Sequence, residues 1–309
     1  MMPYSPAMHA TPKPVVDRVA LAAACVTLVL WASAFVGIRA AAVDLSPGAL
    51  ALGRLLVGSL ALGIVVALRR PVHPTRTTIV PIVVSGILWF GVYNLALNAA
   101  EREVDAGTAS MLVNVAPLMV AILGGLFLQE GFPPRLLVGC VIGFGGVAII
   151  SVATSGQRPG DATAIGILLC FVSAAAYSIS VTLQKPVLRT VPALMVTWLA
   201  CVVGTLVCLP FLPQLISEAG AAAPASLGWL VYLGLFPTSI AFTLWAFALG
   251  RSTAGRLGSL TYLVPVIAIV LGWLLLAELP PLLSFVGGAV AVAGVIIARS
   301  SPARKPADH

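Results

Sequence analysis

Nine stretches of this chain run for twenty residues or more without a single Asp, Glu, Lys or Arg: 19 to 38, 77 to 100, 106 to 129, 136 to 157, 162 to 184, 190 to 217, 219 to 250, 257 to 277 and 279 to 298. A further apolar stretch, 45 to 68, is interrupted only by Arg54. Crossing a hydrocarbon layer of ~30 Å takes about 20 apolar residues as a helix rising 1.5 Å each. Each stretch is long enough, and the connections between them are short. The expected fold is therefore an all-α integral membrane protein with ten transmembrane helices. The weak apolar/polar alternation of a barrel strand is absent from these continuous Leu/Val/Ala/Gly runs.

Composition closes off the alternatives. Only 9% of the 309 residues are charged and 60% are hydrophobic, whereas a soluble domain carries roughly 25% charge; the mean hydropathy is +1.08. Soluble enzymes, nucleic-acid-binding domains and disordered chains are excluded despite a net charge of +7. That surplus reads instead as topology. With the N-terminus in the cytoplasm, the inner side carries Lys13, Arg18, Arg69, Arg70, Arg76, Arg135, Lys185, Arg189, Arg251, Arg256, Arg299, Arg304 and Lys305, and the outer side only Arg39, Arg102 and Arg158. Both termini are expected inside, in a bacterial inner (plasma) membrane. The first stretch follows Lys13 and Arg18 as a secretory signal would, but it is longer than a signal core and reads as an uncleaved span. Cys25, Cys140, Cys170, Cys201 and Cys208 lack metal-site or disulfide spacing and read as small apolar packing residues.

The chain contains an internal repeat. A shift of 148 residues sets Pro117 on Pro265, Gly124 on Gly272, Glu130 on Glu278, Pro133 on Pro281, Gly139 on Gly287 and Gly146 on Gly294 without a gap. A looser shift of 146 sets Trp31 against Tyr177 and Arg39 against Lys185. The expected organisation is a cytoplasmic tail (1–18), a first five-helix repeat (19–157), a second (162–299) and a short cytoplasmic tail (300–309). Five is odd, so the copies would be inverted, the arrangement that places a substrate site near the midplane between halves.

Several polar and aromatic residues at repeat-equivalent or helically spaced positions are the expected substrate contacts. Pro117 and Pro265 each remove a backbone donor inside an apolar stretch, beside Asn114 and Tyr262; they either kink helices for packing or help line a shared cavity. Ser173, Tyr177, Ser180 and Gln184 share one face of helix six, and Asn94, Asn98 and Glu101 one face of helix three. Trp31 and Trp245 add aromatic surface from helices one and eight. Arg54 is the one charge inside a span; it either snorkels to the outer interface as an anchor or faces the cavity as a contact for a carboxylate or phosphate. Glu130 and Glu278 sit at helix ends and are expected to cap or oppose the N-termini of the helices that follow them. Gly139, Gly143, Gly146, Gly287, Ala291 and Gly294 allow close helix contact, within the molecule or in a homodimer. His9, His73 and His309 lie in tails or loops and no Asp or Glu lies deep in a span, so a proton antiporter or cation-drug exporter relying on a buried acid is not expected, nor any metal or cofactor.

Trp31-Ala32-Ser33-Ala34-Phe35, Arg54, the Pro117 to Glu130 stretch ending Leu128-Gln129-Glu130, the glycines of helix five and their second copies at Pro265, Leu276-Ala277-Glu278 and Gly287 to Gly294 together resemble the drug/metabolite transporter superfamily, specifically ten-helix EamA-type bacterial exporters. The resemblance covers nearly all of residues 19 to 299. It implies a permease, monomeric or homodimeric, that exports amino acids or other small metabolites by alternating access to a central cavity. A carrier for nucleotide-linked or lipid-linked sugars would need more cations converging on that cavity than Arg54, Arg39 and Lys185. A membrane-embedded enzyme would need a cluster of catalytic groups, and a non-transporting scaffold would leave the duplicated polar residues unexplained.

Overall fold

The computed structural model describes residues 17–69, 74–100, 103, 112–155, 164–276 and 281–300. Every regular element among them is helical. In chain order these are α1 (Arg18–Ala41), α2 (Pro47–Ala67), α3 (Arg76–Ala100), α4 (Ala116–Phe127), α5 (Pro134–Ser155), α6 (Ala164–Val187), α7 (Ala193–Ala221), α8 (Pro224–Arg251), α9 (254–276) and α10 (Leu282–Arg299). Seven of them, α1, α2, α3, α6, α7, α8 and α10, are long and apolar enough to cross a membrane; α4, α5 and α9 carry shorter apolar stretches.

Local chemistry sets the helix starts. The Asp17 carboxylate accepts from the amides of Val19 and Ala20, both at 3.1 Å, and Ser46 with Pro47 opens α2, supplying acceptors and a missing donor where amides would be orphaned. Pro117 acts the same way: it is the second residue of α4, preceded by a turn at Asn114 and Val115. Leu112 and Val113 before that turn are helical, so the proline stands just after a break in helical geometry, where its absent N–H costs little. Pro265 stands at a similar break, in the first turn of Leu263–Leu276 after the 3-10 turn Ser259–Tyr262 within α9.

Polarity is arranged inside out. Leu60, Leu68, Phe127, Leu168, Leu274 and Ile296 point outward, while Thr27, Ser85, Ser173, Ser178 and Ser180 are fully buried. An outer surface this apolar suits lipid. The buried hydroxyls are satisfied on backbone: Thr27 donates to Ala23 and Ala241 carbonyls, and Ser178 to those of Ala174 and Ala116.

Close approach of backbones holds the bundle together. A Cβ added at Gly139 would fall 2.6 Å from the Gly294 carbonyl oxygen, and one at Gly294 only 2.7 Å from that of Gly139; Gly146 and Gly287 face each other the same way. The glycines of α5 and α10 are thus spent on each other inside one molecule. Across the bundle α2 packs on α8 and α7 on α3, while α1 meets α8 and α9 as α6 meets α3 and α4.

Two helices depart from α geometry. Residues Gly86–Val92 of α3 and Gly234–Ile240 of α8 form π-helical turns. The two turns are 148 residues apart, the shift of the sequence repeat. Each packs tightly on the facing helix: a Cβ at Gly86 would meet the Ala200 carbonyl oxygen at 2.7 Å, and one at Gly234 the Arg54 carbonyl oxygen at 2.8 Å. A π-turn leaves carbonyls without helical partners, and polar side chains take them here. Asn94 Nδ2 donates to Trp89 and Phe90 carbonyls at 3.2 and 2.9 Å; Thr238 and Ser239 donate to those of Leu233 and Gly234, both at 2.8 Å.

Candidate transport site

The π-turn of α3 aims Trp89 and Phe90 into the middle of the bundle, where they meet aromatic residues from three other helices. Trp31 of α1 lies 4.9 Å from Trp245 of α8, centroid to centroid, 5.5 Å from Phe242 and 6.1 Å from Trp89. Trp89 in turn lies 4.8 Å from Phe242 and 5.0 Å from Tyr177 of α6. Tyr93 extends the cluster, 6.4 Å from Tyr177. Most contacts are edge-on or tilted, the arrangement favoured by the ring quadrupoles. Trp31, Trp89 and Tyr177 all fall near the midpoints of their helices. In this conformation the rings pack on one another, with Trp245 at 0% and Trp89 at 2% exposure and with Trp31 and Tyr93 partly buried.

Three polar atoms of this cluster, Trp31 Nε1, Tyr177 Oη and Trp245 Nε1, are buried without a hydrogen-bond partner. Leaving a buried polar group unpaired costs roughly 1–3 kcal/mol. At Tyr177 a Phe would fill nearly the same space without that penalty, so packing alone does not account for the hydroxyl.

Arg54 borders the cluster. Its side chain is only 8% exposed, so it does not snorkel to the interface; the anchor reading gives way to the inward one. Its Nε donates to Thr238 Oγ1 at 3.1 Å, on the π-turn of α8, and Tyr93 and Cys201 lie within its electrostatic reach. The ion pair found among the described residues, Arg251 with Asp17 at 3.3 Å, is elsewhere, so Arg54 holds a buried positive charge against neutral groups alone. Thr238 is the residue that sequence reasoning could not single out as its partner.

The other expected contacts divide. Trp31, Tyr177 and Trp245 converge around Trp89, and Arg54 reaches the edge of the cluster at Tyr93. Asn94 lies at the same level but its amide is committed to the π-turn carbonyls, and Asn98 Nδ2 donates to the Pro47 carbonyl at 3.1 Å. Ser180 and Ser85 bond each other at 2.9 Å, joining α6 to α3. Asn114 is half-buried in the turn before α4. Tyr262 is fully buried against Gly143 of α5, away from the aromatic cluster, with its hydroxyl also unpartnered. Trp89, Phe90, Tyr93 and Phe242 were not among the expected contacts; aromatic residues in an apolar run show no polar stripe.

Glu130 caps a helix, but not the one that follows it. Its carboxylate accepts from the amides of Ala254 and Gly255 at 2.7 and 3.3 Å, the N-terminus of α9, 124 and 125 residues away. Left-handed backbone at Gln129 (φ 56°) and Gly131 (φ 72°) on either side of Glu130 turns the loop away from α5. Lys185 of α6 closes the other side of the same turn by donating to the carbonyls of Leu249 and Ser252. Glu278 lies outside the described residues.

Known proteins place this geometry in context. The sequence profile of the EamA-like transporter family matches residues 18–152 and again 164–300. A probable terminal-alkyne amino-acid exporter of Streptantibioticus cattleyicolor is 34% identical over 88% of this chain and 90% of its own length. An uncharacterized transporter of Bacillus subtilis, YdfC, is 36% identical over 86% of each chain. A protein of known crystal structure overlays with a TM-score of 0.77 over 92% of this chain and 97% of that one at 21% identity, a likeness of fold.

Proposed function

Since the chain belongs to the EamA-like transporter family and is a membrane transporter, we propose that it exports amino acids or similar small metabolites through the site formed by Trp31, Trp89, Tyr177, Phe242, Trp245 and Arg54. The observations that carry this reading are the buried Arg54 guanidinium, without an acidic partner among the described residues and reaching the edge of the cluster at Tyr93, and the three ring polar atoms within the cluster that lack partners. A solute carrying a carboxylate and an apolar body would satisfy both: the carboxylate on Arg54, the body among the rings. The name of the Streptantibioticus relative, an amino-acid exporter, agrees with that chemistry. Asn94, Asn98, Asn114, Ser180 and Tyr262 would join only in a conformation that frees or exposes them.

The proposed frame is ten spans in two inverted five-helix repeats, with both termini cytoplasmic in a bacterial inner membrane. Two observations support it. The π-turns recur at the repeat shift, and helix neighbours are preserved when each helix is exchanged for the one five places on: α2 with α8 becomes α7 with α3, and α1 with α9 becomes α6 with α4. Because the rings close the centre here, transport requires the halves to part around it, as alternating access demands. Glu130 and Lys185 then serve as the cytoplasmic latch of the closed state.

The test is efflux from preloaded proteoliposomes against a panel of amino acids and small organic acids. Saturable efflux of at least one solute above protein-free vesicles is expected. If none of the panel moves, the reading fails.

A further inference from the structure

The groups left unsatisfied around the centre are mostly donors. An indole N–H can donate and not accept, and a guanidinium has only donors. Trp31 Nε1 and Trp245 Nε1 lack acceptors, and Arg54 uses Nε alone, on Thr238. Against these stands one free hydroxyl, that of Tyr177, which can act either way. The backbone acceptors that a π-turn frees, which would suit an ammonium group, are already taken by Asn94, Thr238 and Ser239.

A zwitterion entering this site would gain on its carboxylate and lose on its ammonium. The ammonium would be desolvated against ring faces and the Tyr177 hydroxyl, with no carboxylate of the charge-free stretches to pair with it. An acceptor-rich anion meets the unsatisfied donors directly. Resting on the transport reading above, and narrowing its substrates from amino acids to other small metabolites, we propose that the preferred substrates are net-negative carboxylates with an aromatic or bulky apolar body and no charged amine, and that the membrane potential drives their export. Each turnover carries one negative charge outward, down the inside-negative potential. Neither a proton nor a counter-cation is needed to complete the cycle.

The experiment uses the full chain in proteoliposomes with three probes that share a phenyl body: phenylpyruvate (anion), phenylalanine (zwitterion) and phenyltrimethylammonium (cation). Potassium and valinomycin set the potential. Phenylpyruvate should move at least tenfold faster than either other probe. An interior-negative potential of ~100 mV should favour its exit by about 50-fold at equilibrium. Faster movement of phenylalanine or of the cation would overturn the anion assignment while leaving the transport reading intact. Potential-independent phenylpyruvate flux would overturn the driving force. If no probe moves, the anion assignment falls, while the transport reading stands or falls with the wider panel above. Arg54→Gln that elutes as a monodisperse peak should lose the anion preference, and Arg54→Lys should keep part of it. An undiminished preference in Arg54→Gln would overturn the assignment of charge recognition to Arg54; the wild-type comparison stands even if that variant does not fold.

Discussion

Substituting Gly146 by Ala puts a methyl group where the α5/α10 contact has no room. The new Cβ would lie 2.3 Å from the Ala291 amide nitrogen and 2.6 Å from the Gly287 carbonyl oxygen. Both are backbone atoms of a helix and cannot rotate away. Ordinary contact begins near ~3.5 Å, so α5 and α10 must separate by about 1 Å along much of their length. Overpacking of this kind costs roughly 1–3 kcal/mol. The gain from replacing a helical glycine, about 1 kcal/mol, offsets part of it. A net loss of up to about 2 kcal/mol corresponds to as much as a roughly 30-fold fall in the folded-to-unfolded ratio. Gly145, one residue away, has nothing within 4 Å of an added Cβ, so Gly145→Ala should be neutral or slightly stabilising. Thermal unfolding in detergent, followed by maleimide labelling of Cys140 in a background with Cys25, Cys170, Cys201 and Cys208 replaced by Ala, reads this directly, because the one remaining thiol is buried on α5. Gly146→Ala should label sooner and at a lower temperature than wild type, and Gly145→Ala should not. Equal behaviour of the two variants would refute the claim that α5 and α10 are held by backbone contact.

Three further outcomes follow from single residues. Arg54→Met should raise thermal stability, since removing a buried unpaired charge relieves about 2.5–3.5 kcal/mol of insertion cost before packing is counted, while cutting solute flux at least tenfold; a variant that is both less stable and fully active contradicts the account. Glu130→Gln weakens the bonds to Ala254 and Gly255 by roughly 1–2 kcal/mol, and a cysteine placed at Ser252 in that background should react faster with a membrane-impermeant maleimide added from the cytoplasmic side. Asp44, between α1 and α2, accepts from Ser226 Oγ at 2.6 Å and the Ala223 amide at 3.0 Å, which holds its carboxyl below the usual carboxylate range. A depressed folded value means that this contact stabilises fully above the unfolded value near ~3.9 and is lost as pH falls through the folded one. Hydrogen exchange at Ala223 should therefore quicken, relative to intrinsic exchange, only below about pH 4, and Asp44→Asn should abolish that acid step.

The sequence made the helices legible because lipid imposes a simple rule, twenty uncharged residues per crossing. It also singled out Trp31, Tyr177 and Trp245, since each interrupts an apolar stretch with a polar-tipped ring. Arg54 was visible as a charge in the wrong place, but its direction was not, because Thr238, a polar residue of helix eight, is 184 residues away and nothing in the sequence pairs the two. The π-turns defeated helical periodicity in a definite way. The wider turn shifts the register of the helix, so Trp89 comes inward without forming a stripe with Asn94. The same turns explain why Asn94, read as a ligand contact, instead holds its own backbone. Glu130 reads from the sequence as a cap for the helix that follows it, whereas its carboxylate reaches the amides that open α9, and the left-handed Gln129 beside it is not encoded by any glycine preference at that position.

The central claim is that the ring-and-guanidinium cluster at the core is where solute binds during transport. Counterflow of a transported solute in proteoliposomes, wild type against Tyr177→Phe, tests it most directly. The substitution keeps the ring and removes only the unpartnered hydroxyl. If that group meets the solute, losing a hydrogen bond to a charged acceptor costs about 1.5–3 kcal/mol, and counterflow should fall roughly 10- to 100-fold with thermal stability unchanged or raised. Counterflow equal to wild type in a stably folded Tyr177→Phe protein would contradict it.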